Sequence, residues 1–218
     1  MENSNYTDTV WVQESKHMCG RFYIDDNTMF QIETIVKKIE RKLAKIGTVY
    51  PTEPALVLCS DSQEIQGKTM KWGYENPKDR TKIINARTES ILERPLFRND
   101  FEYRRCVIPA TKFYEWKRLS SKDKEKYSFY VPDKTLYLAG IYRKTEEGEQ
   151  FSILTKEADG AMLGIHHRMP VIIGEDKLSY YMESRKDALL LMKESCKELE
   201  RKTEEEFKQL SLFSNENR

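Results

Sequence analysis

From residue 48 to 155 the chain is a succession of short runs rich in β-branched and aromatic residues. They read ALVLC (55–59), MKWGY (70–74), CVIPA (106–110), KFYEW (112–116), YSFYV (127–131), TLYLAGIYR (135–143) and QFSILT (150–155). Turn residues separate them, as at Pro132-Asp133 and Glu147-Gly148, which is the signature of strands rather than helices. Helical patterns flank this block. Asp25, Asp26 and Asn27 offer caps, and Ile32, Ile35, Val36, Ile39 and Leu43 follow at helical spacing, so a helix is expected over 28–45, ending near Gly47. A short helix is expected at 88–93 and another near 175–183. A last helix is expected over 186–210, with Leu189, Met192, Cys196, Leu199 and Phe207 as its apolar stripe. Strands in succession between helices predict an α+β fold, with a mainly antiparallel curved sheet or irregular barrel and flanking helices. Residues 1–17 lack periodicity and read as a disordered leader. The chain then divides into a domain over 18–183 and a charged helix and tail over 184–218. Fifteen of the 27 residues from 183 to 209 are charged, which suits a solvated helix face.

No apolar run approaches the ~18 residues of a membrane span, and the N-terminus has no secretory pattern. A cytoplasmic protein is expected. The net charge is +1. Glu2, Asp8 and Glu14 against Lys16 leave residues 1–17 at −2 and therefore 18–218 at +3. That permits nucleic-acid binding without requiring it. Cysteines stand at 19, 59, 106 and 196, with no CxxC spacing, so neither a zinc knuckle nor a disulfide framework is expected. Cys59, Cys106 and Cys196 lie in apolar patterns and read as buried small hydrophobes. Cys19 differs, standing in MCGRF beside Gly20 and Arg21.

Four positions could carry chemistry. Cys19 is a candidate nucleophile, and His166 a candidate proton-transfer group. His166 and His167 are adjacent, so on a strand they would face opposite ways and serve different surroundings. Glu115, between aromatics in KFYEWK, is either a solvent-facing carboxylate or an acid whose pKa burial would raise for proton transfer. Asn85, in INARTES, is either a turn or cap residue or an orienting amide. Arg21, Arg87 and Arg168 each stand near one of these positions, as solvated charges or as phosphate contacts. Trp72 and Trp116 are core residues or base-stacking platforms. The scattered Cys and His do not suggest a metal site, and no cofactor is expected.

MCGRF, WG, INARTE, RRCVIPATKFYEW, FSILT and HHRMPVII occur in this order over residues 18 to 182. Together they resemble the SRAP family, the SOS-response-associated peptidases that crosslink to abasic sites in DNA. The resemblance implies a catalytic set of Cys19, Asn85, Glu115 and His166, with His167 as a variable position. It implies DNA contacts at Arg21, Pro51, Trp72, Arg87, Trp116, Thr155 and Arg168, and a curved sheet around a positively charged channel. The implied partners are single-stranded DNA with abasic sites and single-strand/double-strand junctions, met by a monomer in the cytoplasm or at the nucleoid. A cysteine peptidase acting on other proteins and a non-covalent single-strand binding module are the competing classes.

The residue types suit that chemistry. An abasic deoxyribose ring-opens to an aldehyde, with which an α-amine condenses. A thiol on the adjacent carbon then closes a five-membered thiazolidine. Only an N-terminal Cys offers both groups, and an α-amine with a pKa near 7.7–8.0 is roughly 10–20% neutral at pH 7. The functional chain is therefore expected to begin at Cys19, through a start at Met18 with Met removal or through autoproteolysis.

Overall fold

The structure, a computed structural model, describes residues 20–36, 38–39 and 45–204. In chain order, β1 (Phe22–Ile24), α1 (Asp26–Ile35), β2 (Lys38–Ile39) and β3 (Gly47–Val49) lead into the hairpin of β4 (Pro54–Asp61) and β5 (Glu64–Trp72). A small hairpin of β6 (Tyr74–Glu75) and β7 (Lys82–Ile83) follows, then β8 (Asn85–Arg87) and α2 (Pro95–Tyr103). The central strands are β9 (Arg105–Ala110), β10 (Lys112–Arg118), β11 (Lys124–Tyr130), β12 (Leu136–Thr145) and β13 (Gly148–Glu157). The last elements are β14 (Arg168–Pro170), β15 (Ile172–Ile173), α3 (Leu178–Glu183), α4 (Arg185–Leu191) and β16 (Glu200–Glu204).

The expected α+β architecture with mainly antiparallel pairing is what forms. One sheet of five strands runs β16-β11-β10-β1-β3. The other runs β14-β13-β12-β9-β4-β5-β2, with β15 on β12 and β8 on β13. A second pairing of β13 with β5 closes five of these strands into a ring, irregular rather than a regular barrel. This closure is parallel and spans two residue pairs, Gln150 with Lys71 and Phe151 with Trp72. Both aromatic residues of the closure are fully buried. Their rings stack 6.1 Å apart, and Phe22 packs on Trp72 at 5.1 Å. Trp72 also donates from its indole N–H to the Ile84 carbonyl at 3.0 Å.

The chain crosses from ring to five-stranded sheet at Thr111, between β9 and β10. Its N–H donates to the Tyr23 carbonyl at 2.7 Å, and its hydroxyl accepts from the Asp25 N–H at 2.9 Å. Asp25 in turn caps α1 by accepting from the Thr28 N–H at 2.8 Å, which satisfies an otherwise orphaned donor. Arg105, at the start of β9, ties two helix ends to the ring. Its buried guanidinium donates to the carbonyls of Phe101 and Glu102 in α2 and of Tyr181 and Met182 in α3, at 2.6–3.0 Å. A cation among C-terminal carbonyls is where the helix dipole favours it.

Three expectations about elements change, and one helix is new. The helix expected over 28–45 ends at Ile35, because Val36 turns extended and Lys38–Ile39 add to the ring in parallel with β5; Leu43 lies outside the described residues. The segment expected as a short helix at 88–93 forms only a 3-10 turn over Thr88–Ser90. α2 was not anticipated. Phe97 and Phe101, one turn apart and buried, are its anchors, set among charges that mask the period. The expected helix over 186–210 breaks: α4 ends at Leu191, and Glu200–Glu204 instead pairs antiparallel with β11. The charged letters ERKTE read as a solvated helix face, but the open edge of β11 supplies backbone partners that a helix would not need. Phe207 and the rest of the tail, like the leader at 1–17, lie outside the described residues.

Gly140, in β12, faces the most crowded point of the ring. A Cβ there would stand 2.5 Å from Ile108 Cδ1 and 3.1 Å from both Cys106 Sγ and the Ser152 carbonyl oxygen. Gly140→Ala is therefore expected to destabilise by about 1–3 kcal/mol through overpacking, measured as a lower urea midpoint at unchanged m-value.

Candidate functional site

Alternation along β10 separates two roles. Phe113 and Glu115 point inward, and Glu115 is only 5% exposed. Tyr114 and Trp116 take the other face, as period-2 geometry requires. Across from Glu115 lies the loop before β14, shaped by a 3-10 turn at Gly160–Met162 and by Gly164 at φ +78°. It brings His166 Nδ1 to 3.8 Å from Glu115 Oε1. The Arg168 N–H donates to the same Nδ1 at 3.0 Å. That bond assigns the neutral ring the tautomer with its proton on Nε2. On protonation, Nδ1 becomes a donor facing both the Glu115 carboxylate and the Arg168 carbonyl, 3.3 Å away.

The two histidines do not take opposite faces. They precede β14, so strand alternation does not govern them, and their rings stack at 4.4 Å. His166 is the more enclosed of the pair and His167 is exposed.

The remaining implied residues gather around β13. β8 runs parallel to it, with Asn85 level with Ile153 and Arg87 level with Thr155. Asn85 is half-buried and Arg87 exposed. Thr155 is buried, its hydroxyl directed at the Ala86 carbonyl at 3.5 Å. On the other side of β13, Arg168 donates to the Thr155 carbonyl at 2.6 Å and forms a bidentate pair with Glu89 at 2.6 and 2.8 Å. Sequence reasoning missed Glu89 as a site residue, although it belongs to the INARTE motif two residues after Arg87.

A third group lies at β1. The Arg21 guanidinium sits 4.8 Å from the Trp116 ring and 5.0 Å from the Tyr50 ring, both within cation–π range. Pro51 is half-buried in the adjoining turn, where Thr52 adopts φ +73°. A β-branched residue there is strained. Hydrogen bonds from the Thr52 N–H to the Trp72 carbonyl (2.9 Å) and from the Trp72 N–H to the Glu53 carbonyl (3.0 Å) hold it. Trp72 itself is fully buried between Phe22 and Phe151, so the implied base contact gives way to a core role. Thr155 is likewise enclosed by its own strands, so its side chain is not open to a ligand.

Cys19 lies outside the described residues. Gly20, the first described residue, is informative. The Tyr114 N–H donates to the Arg21 carbonyl at 3.0 Å, which extends the β1–β10 ladder beyond the Phe22–Phe113 pair. Two further steps of that register set Gly20 level with Glu115. Among the described residues no group of three or more His, Cys, Asp or Glu could hold a metal ion. No described helix is long and apolar enough to cross a membrane. Cys59 and Cys106 are buried free thiols, and burial pushes both up from the ordinary thiol range.

The sequence matches the family described as SOS response associated peptidase (SRAP) over residues 18–211. It is 37% identical over 175 residues to the abasic site processing protein YoaM of Bacillus subtilis, covering 73% of this chain and 76% of that one. It is 25% identical over 193 residues to the abasic site processing protein YedK of Escherichia coli, covering 82% and 87%. Among solved structures, a protein from Bacteroides thetaiotaomicron shares the fold at a TM-score of 0.72 and 21% identity, covering 85% of this chain and 91% of that one. A phage-related protein from Bordetella bronchiseptica does so at 0.70 and 22%, covering 86% and 95%.

The Glu89–Arg168 pair sets a pH dependence. Arg168 holds the Glu89 carboxyl below the ordinary carboxylate range, so the folded state favours the ionised form. The pair's contribution is full above the unfolded pKa of about 4.3 and is lost as pH falls through the lower folded value. Glu89→Gln is expected to cost about 1 kcal/mol near neutral pH, the upper end for a pair whose carboxylate is largely exposed. The difference from the parent should shrink below about pH 4, as read from denaturant melts between pH 3 and pH 7.

Proposed function

The chain belongs to the SOS response associated peptidase (SRAP) family, and on that basis we propose that it is a DNA-repair protein that captures abasic sites in single-stranded DNA covalently through Cys19. The observation that carries this reading is the enclosed Glu115–His166 contact of 3.8 Å, at the level where the described chain begins with Gly20. Cys19 is the residue covalently attached to Gly20. The names of the relatives, abasic site processing proteins, point to the same substrate class.

The reaction needs no external redox partner. The Cys19 α-amine adds to the C1′ aldehyde of the ring-opened sugar. Loss of one water from that adduct gives an imine. The Cys19 sulfur then adds to the imine carbon, its proton passes to the nitrogen, and a thiazolidine remains. Ring opening and water loss both require proton movement at oxygen. Glu115 and His166 supply it, the neutral imidazole offering its Nε2 proton and the carboxylate accepting one. Asn85 orients the sugar. Arg87 and Arg168 hold phosphates on one side, and Arg21, Trp116 and Pro51 receive the strand or a junction on the other. Trp72 and Thr155 act by fixing the strands that carry these groups. On this reading the protein works as a monomer in the cytoplasm, at the nucleoid when on DNA.

The chemistry also requires that residues 1–18 be absent from the reacting form, since a peptide bond to Met18 would remove the amine. Translation from Met18 followed by Met removal meets that need most simply, and autoproteolysis is the other route.

Incubation with a single-stranded abasic oligonucleotide should give a band that survives heat and SDS. Cys19→Ala should abolish it, and Cys19→Ser should leave at most a labile adduct. Glu115→Gln and His166→Ala should each slow it by about 10²–10⁴-fold, the usual contribution of one proton-transfer group. A heat-stable band from Cys19→Ala, or an intact mass showing residues 1–18 retained in crosslinked protein, would overturn the mechanism.

A further inference from the structure

The five-stranded sheet has a second face, turned away from Glu115, of which the proposed capture reaction uses only Arg21 and Trp116. Strand alternation puts Tyr23, Tyr114, Trp116 and Tyr130 on it. The same rows carry Arg21, Lys112, Arg118, Lys124, Lys126 and Lys202, against Glu200 and Glu204 alone. Six cations and two carboxylates give this face a net +4, on a chain whose whole sequence sums to +1. The cations and rings interleave. Lys126 Nζ stands 4.3 Å from the Tyr114 ring, and Lys112 Nζ lies 5.4 Å from Tyr114 and 5.5 Å from Tyr23. Arg118, Lys124 and Lys202 are exposed, and Tyr23, Trp116, Lys126 and Tyr130 half-exposed, whereas Tyr114 is buried beneath the two lysines and Lys112 pairs with Glu204 at 3.1 Å. The principal helix packing lies elsewhere, on β4, β9 and β12 of the ring.

We propose that this outward face is a second nucleic-acid-binding surface, which carries a tract of single-stranded nucleic acid onward from the abasic-site pocket past Trp116. The inference rests on the reading of the pocket given above. The open rings of Trp116, Tyr130 and Tyr23, set among exposed cations, match bases carried on a run of phosphates. A duplex would use the charges but leave the rings idle, because its base faces are stacked away. An acidic peptide would likewise engage the lysines and not the row of rings. From Lys112 to Arg118 the face extends about 20 Å at ~3.4 Å per residue, on the order of the ~4 nucleotides that short single-strand sites hold. Arg21 and Trp116, in mutual contact, make the face continuous with the mouth of the pocket.

The test compares two triple variants by fluorescence anisotropy, using an undamaged oligonucleotide of about 20 thymidines over a range of salt. One variant is Lys124→Ala, Lys126→Ala and Lys202→Ala. The control is Lys71→Ala, Lys78→Ala and Lys193→Ala, exposed lysines elsewhere that change net charge equally. The first triple should reduce the slope of log affinity against log salt by about 2, at roughly 0.7 per lost phosphate contact, and the control should leave it unchanged. Tyr130→Ala should weaken binding by roughly 5- to 150-fold at constant salt slope, as loss of a stacking ring does. Equal effects of the two triples, or an unchanged slope for the first, would overturn the inference. Crosslinking of an abasic pentanucleotide by the parent protein reads the pocket separately. Failure there refutes the pocket reading, while the salt slopes still decide the outward face.

Discussion

The architecture depends on one short parallel contact. β13 already pairs with β12 over six residue pairs of hairpin, and it then meets the end of β5 through Phe151 and Trp72. Two residue pairs of ladder are too little to close a ring unaided. What holds the closure is that Trp72 and Phe151 are fully buried aromatics, stacked on one another and sealed by Phe22. Burying a large aromatic side chain is worth about 2–3 kcal/mol, so the closure draws on packing more than on hydrogen bonds. Immediately after Trp72, Gly73 turns at φ +110° with its N–H donated to the Phe151 carbonyl at 2.8 Å. The chain can then leave as the β6–β7 hairpin and return as β8 on the same strand. Asn85 and Arg87 are placed by that return.

Because β10 is a strand one residue removed from the ring, adjacent letters of FYEW serve opposite surroundings. Glu115 enters the enclosed space between the sheets, and Trp116 joins Arg21 on the outward face. A helix could not separate neighbouring residues so completely, since side chains one apart diverge by only about 100°. The strand therefore lets one short motif place a carboxylate in an enclosed site and a ring on the outward surface.

How much of this was legible in the sequence follows the physics of each element. The β-rich runs of the centre announce themselves because their apolar residues are buried by close neighbours. β12 opens with a nearly continuous apolar run over 136–142, as a strand covered on both sides should, and the short FSIL run marks β13, which is buried from Gln150 to Lys156. The ends were harder. ERKTE forms β16 although only Thr203 in its composition favours a strand, because an open edge on β11 decides it. Val36 ends α1 early because β5 has a free side for Lys38 and Ile39. The candidate site residues came through motif resemblance. Glu115 and His166 do meet, but Trp72 is spent on the core, a role that an aromatic letter alone does not distinguish from base stacking. The stacking of His166 on His167 was illegible because it depends on where β14 begins.

Arg168 ties the parts of the candidate site together. Its backbone N–H fixes the His166 tautomer, and its guanidinium spans from β14 across β13 to the turn after β8. The two anchors of that guanidinium differ in kind. Glu89 is largely exposed, so its attraction is screened by water and salt. The Thr155 carbonyl belongs to buried backbone of β13 that its own strand pairings hold in place, so it cannot turn away. The orientation of Arg168 is thus set by the strand and only reinforced by the ion pair. A change in salt or pH that weakens Glu89 should leave the guanidinium, and with it the His166 ring, anchored to β13.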